Sequence, residues 1–318
     1  KKAIPYVTSY YKKNWGFCMT HKDKVKLPLG KYNAVIKSKF SKGNLELSHA
    51  LIKGNLKKEI FFSSYVCHPS MANNELSGPV VLNALMQYIK LKYKKTNFSY
   101  RFVLLPETIG SIAYLSRYRK NLKKNMLMGF NLSCLGDNRA YSIIKGPNGE
   151  NLPYFALYSF FKNKKNLKIY DFTNRGSDER QYCAPGIELP LVVYCRSKYG
   201  AYPEYHTSKD NLKIISQKSL EKSLKVLQDL VDCIELYCTE LSLFPKLTTF
   251  CEPNLSKRNL YPTVSKSNTL TKPLRLRKNL LAYSNGKRSI FEISHILNED
   301  IYKVFQEFQL LVNKGLIK

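Results

Sequence analysis

The stretch "EIFFSSYVCHPSMANNELSGPVVLNALMQYIKLK", residues 59–92, decides how the chain is read. Its first nine residues are mostly apolar, aromatic or β-branched, as in a strand buried on both faces. Its last sixteen place apolar residues at helical spacing, beginning at Ser77-Gly78-Pro79, a helix-start signal. Between them lies a polar loop opened by Cys67-His68-Pro69. A strand, a loop carrying a histidine, and a helix is the unit of a parallel α/β sheet, which keeps its ligands outside the carboxyl ends of its strands.

The same unit recurs downstream. "YRFVLLP", "MGFNLSC", "NLKIYDF" and "LPLVVYCRS" read as strands, and "GSIAYLSRYRKNLKK", "LPYFALYSFFKNK" and "SQKSLEKSLKVLQDLVDCIELYCTEL" as helices. The expected architecture is α/β: a mostly parallel sheet with helices on both faces, over residues 59–245. Before it, "GFCMTH", "KYNAVIKSKF" and "NLELSHALI" read as short strands of a small β subdomain, residues 1–58. After it, residues 244–279 hold four prolines and little periodicity, an irregular stretch of which 246–270 is read as the linker. Residues 271–318 follow with helix, turn, helix and a Gly315 exit, the outline of a winged helix.

Composition narrows the function classes. The 318 residues are 44% apolar and 13% aromatic, as in a folded globular chain. No apolar run is long enough for a membrane span, and the start lacks both a signal-peptide core and an initiator Met, so a missing N-terminal region is expected. Lys+Arg number 52 against 23 Asp+Glu, a net charge of +29. The excess is spread along the chain, which reads as generic basic surface and disfavours a nucleic-acid groove. The eight cysteines form no CxxC pair, and several lie within apolar strands. Free thiols and a cytoplasmic location are expected.

Chemistry-bearing residues follow each expected strand of the sheet. His68, Glu107 in "LLPETIGS", Asp137 in "NLSCLGD", Asp178 and Glu179 in "NRGSDERQY", and His206 in "YPEYHTSKDN" all lie at strand ends. Two histidines with carboxylates make a ligand set suited to zinc. Arg196 and Lys198, beside the last strand, are candidates to hold a substrate carboxylate, with Glu179 as a further substrate contact. His21, His49 and His295 lack such company and read as surface or structural.

Taken together, "HPSMANNELSG", "PETIGS", "NLSCLGD", "GSDERQY" and "YPEYHTSKDNL" resemble an aminopeptidase-like family of bacterial proteins, over nearly the whole chain. That family is similar to zinc aminopeptidases and glutaminyl cyclases. It implies a zinc-exopeptidase-type domain with a small inserted β domain and a C-terminal winged helix. The resemblance implies His68 as the first metal ligand and His206 as the last. Asn74 stands at a bridging Asp ("NELSG" against "DNxSG"), Glu107 at a metal-binding Glu, and Pro106 at the general base. Ser133 stands at a third-strand Asp, and Asp178 in an "SD" motif beside the substrate. With Asn74 and Ser133 in place of carboxylates, one zinc at most is expected, held by His68, His206 and either Glu107 or Asn74. If Glu107 is a ligand, Asp178 or Glu179 is the base; otherwise Glu107 is. The implied activity is hydrolysis of an amide in a small peptide or in an aminoacylated or acylated sugar, linked to cell-surface polysaccharide biosynthesis. The alternatives are a degenerate enzyme serving as a binding or scaffold module, and DNA binding through the winged helix. Glu299, Asp300 and Glu307 on its second helix disfavour DNA and favour protein contact; an oligomer is left open.

Overall fold

The computed structural model describes residues 2–8, 12, 14–239, 242–262 and 271–318. In chain order the elements are α1 (His21–Lys24), β1 (Ser48–Ile52), β2 (Glu59–Tyr65), α2 (Ser77–Lys92), β3 (Ser99–Leu105) and α3 (Ile109–Asn125). Then come β4 (Met126–Leu132), β5 (Tyr141–Ile144), α4 (Leu152–Phe161), β6 (Leu167–Tyr170), α5 (Glu179–Tyr182) and β7 (Leu191–Cys195). The last four are α6 (Gln217–Tyr237), α7 (Lys272–Tyr283), α8 (Ile290–Leu297) and α9 (Ile301–Asn313).

One sheet of seven strands runs in the order β1-β3-β2-β4-β7-β5-β6. The central strands β3, β2, β4 and β7 are parallel, while β1 and the β5–β6 pair run against them. Alternate residues of β2 explain the two-faced burial. Ile60 and Phe62 join one core with α2, α4 and α6; Phe61 joins another with α3 and α5. A mostly parallel sheet covered on both faces is thus what the strand-helix pattern encodes.

Two features pin the opening unit. Glu59 and Arg101 form a buried bidentate pair across β2 and β3, with Nε–Oε2 at 2.5 Å and Nη2–Oε1 at 2.7 Å. Gly78, at the start of α2, lies against β2 and β4: a Cβ there would meet the Ser64 hydroxyl and the Leu132 carbonyl oxygen, the latter at 2.8 Å. Gly78→Ala gains about 1 kcal/mol of helix propensity but overpacks a backbone neighbour at about 1–3 kcal/mol. A net loss of stability is expected, read as a lower urea midpoint at unchanged slope.

The N-terminal region departs from expectation. Among the described residues, "GFCMTH" and "KYNAVIKSKF" form no strand, and Trp15, Phe17, Val35 and Phe40 are exposed. A lone hairpin with no packed face is marginal. Only "NLELSHALI" yields a strand, and β1 pairs antiparallel with β3 as an edge of the main sheet.

The C-terminal unit is a winged helix of α7, α8 and α9. Helix α7, with Pro273 in its first turn, lies largely where an irregular segment is expected from sequence. Residues 246–248, expected in the linker, pair with 316–318, and Leu247 bridges Ile317. Residues 263–270 of that linker lie outside the described residues. The first turn of α9 packs on the α/β unit: Phe305 stacks on Tyr237 of α6 at 4.7 Å, and Tyr302 meets Phe160 of α4. His295 packs among Tyr154, Phe155 and Tyr158. The helix end that a winged helix offers to a groove here turns its apolar side, Ile301, Val304 and Phe305, into the core, while Tyr302 and Lys303 stay exposed.

Candidate functional site

Strand ends bring three residues together. His68 lies just beyond β2, Glu107 just beyond β3, and His206 in the loop after β7. The His68 Nε2 is 3.9 Å from Glu107 Oε2, and the two imidazole rings are 4.9 Å apart. His206 takes a left-handed backbone conformation, with φ +52°, and stacks on Tyr205 at 3.9 Å. Its Nε2 is buried without a hydrogen-bond partner. Tyr6 stands edge-on to both imidazoles, held by its N–H donating to the His206 carbonyl at 2.9 Å.

A carboxylate absent from the sequence-based candidates holds the first histidine. The His68 Nδ1–H donates to Glu75 Oε1 at 2.8 Å, and the Cys67 N–H donates to Glu75 Oε2 at 2.6 Å. Burial opposes a charge on His68, but Glu75 and Glu107 outweigh it and raise its pKa. Burial, with His68 beside it, lowers that of His206. Among the described residues, Cys67, His68 and Glu75 also form the set whose thiol, imidazole and carboxylate atoms lie within 4.8 Å of one another. Burial pushes the Cys67 thiol up, and Glu75 is committed to two donors, so this set is a poor cage.

The π-helical turn Ala72–Leu76, which runs into α2, is fastened by groups far along the chain. Asp210 accepts from the N–H of Ala72 (3.1 Å), Asn73 (2.6 Å) and Asn74 (3.1 Å), and from the Tyr202 hydroxyl (2.8 Å). Asn73 accepts from Gly136 N–H at 2.8 Å and donates to Asp137 at 3.1 Å. Asp137 also receives the Ser197 N–H and hydroxyl, which makes it scaffold.

Asn74 does not join the histidines. Its Oδ1 accepts from the Tyr65 hydroxyl at 2.7 Å, and its amide nitrogen leans on Met71 Sδ at 3.5 Å. The Tyr65 oxygen lies 2.6 Å from Ser133 Oγ. Tyr65 has one hydrogen and gives it to Asn74, so Ser133 donates to Tyr65. Both positions that lack the expected carboxylate are thus tied through one phenol.

The remaining candidates separate. Glu107 is half-buried, and burial raises its carboxyl above the ordinary range. Asp178 is fully buried, which pushes it up to about 7. Its Oδ1 accepts from Thr108 N–H (2.7 Å) and the Ser111 hydroxyl (2.8 Å), while Oδ2 has no partner. Glu179 is saturated by Gly176 N–H, Ser177 N–H, the Tyr199 hydroxyl and Asn131, and has no exposed surface to offer a substrate. Arg196 is buried, donates to the Ala140 carbonyl at 2.7 Å and lies 3.8 Å over the Tyr141 ring, so it too is turned inward. Lys198 is half-buried against Tyr199 and Tyr170. The cation bonded beside Glu107 is Arg180, whose Nη2 donates to Thr108 Oγ1 at 2.7 Å.

The donor types, though not a closed cage, are those of a metal site. His68 Nε2, Glu107 and the unpartnered His206 Nε2 are two imidazoles and a carboxylate of the kind zinc takes. Asn74 and Ser133, spent on Tyr65, have nothing to give a second ion.

The chain is similar to known proteins in sequence and in fold. A Clostridium acetobutylicum protein, named for polysaccharide biosynthesis and an aminopeptidase-like domain, is 37% identical over 320 residues, covering 100% of this chain and 72% of that one. A crystal structure of a candidate peptidase from the same organism superposes with a TM-score of 0.82 at 32% identity, over 100% of this chain and 71% of that one. A zinc aminopeptidase from Bacillus subtilis shares the fold, with a TM-score of 0.50 at 17% identity, over 58% of this chain and 48% of that one. Residues 243–318 match the winged helix-turn-helix family. Residues 12–236 match the family described as a domain of unknown function (DUF4910), and the chain belongs to that aminopeptidase-like family.

Proposed function

We propose that the chain is a single-zinc hydrolase that cleaves an amide bond. The observation that carries this reading is the placement, beyond the ends of parallel strands, of His68 Nε2 at 3.9 Å from Glu107 and of the His206 ring at 4.9 Å from that of His68, with His206 Nε2 buried and unpartnered. Bound there, zinc would supply Lewis acidity toward an amide carbonyl and toward water. Glu107 and the two imidazoles would hold it. With Glu107 so used and Glu179 saturated, Asp178 is the carboxylate left to move a proton: it is as buried as Glu179, but its Oδ2 has no partner and is free to take one once water is admitted beside it. A carboxyl near 7 takes the proton of an attacking water and returns it to the leaving nitrogen as the C–N bond breaks. The relative named for polysaccharide biosynthesis supports an acylated or aminoacylated sugar as substrate, with a small peptide as the other form of the same bond. Arg196 and Lys198 are replaced as candidate substrate anchors by Arg180, next to Thr108.

The Tyr65–Asn74–Ser133 network favours a second reading, a binding or scaffold module in which the site has lost its metal. Zinc content separates the two. Protein purified without chelator is expected to carry about one zinc per chain and to release amine from N-acylated amino sugars or aminoacyl anilides until chelated. Protein without zinc that takes up none when zinc is added would leave only the scaffold reading. The winged helix acts through protein contact, its α9 being packed on α4 and α6 rather than offered to DNA. Among the described residues no helix is long and apolar enough to cross a membrane, and the cysteines are free, which supports a reducing compartment.

A further inference from the structure

We propose that Glu75 is the positioning residue for His68, fixing its imidazole with Nδ1–H toward the loop and the Nε2 lone pair toward Glu107 and His206. The inference rests on reading that cluster as a metal site, and it adds a residue to which no ligand role falls.

The geometry is specific. Glu75 is 3% exposed, and its two oxygens face two donors, the Cys67 N–H at 2.6 Å and the His68 Nδ1 at 2.8 Å. A buried carboxylate only accepts, so Nδ1 must carry the hydrogen. In a neutral imidazole Nε2 is then bare, and Nε2 is the atom that faces Glu107. A metal-ligating histidine needs such an outer partner to set its tautomer and hold its ring. The backbone bond to Cys67, one residue before His68, stops Glu75 from swinging away with the ring.

The loop has exchanged its acid and its amide. The motif that "NELSG" resembles puts the acid first and the amide second; here Asn74 comes first and Glu75 second. Neighbouring residues of this turn have different partners. Position 74 meets Tyr65 and position 75 meets His68. Moving the carboxylate one residue therefore takes it from the place of a ligand to the place of a ligand's support.

Glutamine at 75 has one acceptor for two donors. If its oxygen stays on the Cys67 N–H, its NH2 faces Nδ1 and turns His68 into the Nε2–H tautomer, whose lone pair points the wrong way. The test is a long-range proton–nitrogen NMR spectrum of the metal-free full chain, at a pH where the imidazole is neutral, with His68 assigned by its loss in His68→Gln. Wild type is expected to show the Nδ1–H tautomer and Glu75→Gln the Nε2–H form. Zinc affinity, by competition with a chromophoric chelator, is expected to drop by about 10–100-fold in Glu75→Gln. An Nε2–H tautomer in wild type, or a tautomer and affinity unchanged in Glu75→Gln, would overturn the proposal. The wild-type spectrum alone decides it if the variant does not fold. Wild type that shows Nδ1–H yet takes up no zinc would leave Glu75 in its role and remove the metal reading instead.

Discussion

His206→Asn is expected to abolish the stabilisation that zinc would confer at the proposed site while leaving the metal-free protein close to wild type. The choice of asparagine matters. His206 sits at φ +52°, where an ordinary side chain is strained and asparagine is tolerated. Its Nε2 has no partner to lose, so the metal-free fold gives up mainly the stacking on Tyr205, worth about 0.5–1.5 kcal/mol. The asparagine amide stops well short of the imidazole's reach. The zinc site then loses one of three protein ligands, and its affinity is expected to fall by more than the roughly 100-fold that outer-shell changes cost. A ligand at 100 times its Kd stabilises the native state by about 2.7 kcal/mol. Wild type is therefore expected to show a clear rise in thermal midpoint on adding zinc, and His206→Asn to show almost none at the same concentration. Hydrolysis falls with occupancy. An undiminished zinc-dependent shift in the variant would remove His206 from the site.

How far the sequence leads can be judged residue by residue. His68, Glu107 and His206 are readable because each closes an apolar strand or follows one, and a parallel sheet delivers all such ends to one side. What a strand end does not say is which way the next side chain turns. Arg196 follows β7 directly and looks like an anchor, yet it folds back under Tyr141. Asn74 is readable as a departure, but its Tyr65 partner lies within the preceding strand and reads only as apolar bulk. Glu75 and Asp210 escape notice for a common reason. Their partners include backbone N–H groups, which every residue carries and no motif records. The β1 strand is readable as a strand but not as an edge of the main sheet, because pairing across 50 residues leaves no local periodicity. The first turn of α9 shows an apolar face, and only the packing of Tyr302 and Phe305 on α4 and α6 explains what that face is for.

Asp210→Ala is expected to be the most destabilising single change at the site, although Asp210 touches neither histidine ring in the hydrogen-bond network. Its carboxylate takes three successive N–H groups from residues 72–74 and the Tyr202 hydroxyl, and it is fully buried. The Ala72 N–H keeps the Asp210 backbone carbonyl at 3.1 Å, but the Asn73 and Asn74 N–H groups open the turn that runs into α2 and have no carbonyl of a preceding helical turn to use. Each buried donor left without a partner costs about 1–3 kcal/mol. Water entering the vacated space restores part of this, and a net loss of about 3–5 kcal/mol is expected. Asp210→Asn is expected to lie between wild type and alanine. Its single oxygen can serve part of the set, while its NH2 confronts the remaining donors. The loss also reaches the site itself, because Asp210 follows His206 by four residues while its bonds hold the loop that carries Glu75 and, through Glu75, His68. Zinc affinity should therefore weaken in Asp210→Asn even where the chain is fully folded, and saturating zinc should recover part of the lost urea midpoint. A variant that unfolds at the wild-type midpoint would mean that the turn at 72–74 stands without its carboxylate, and that the two loops are positioned independently.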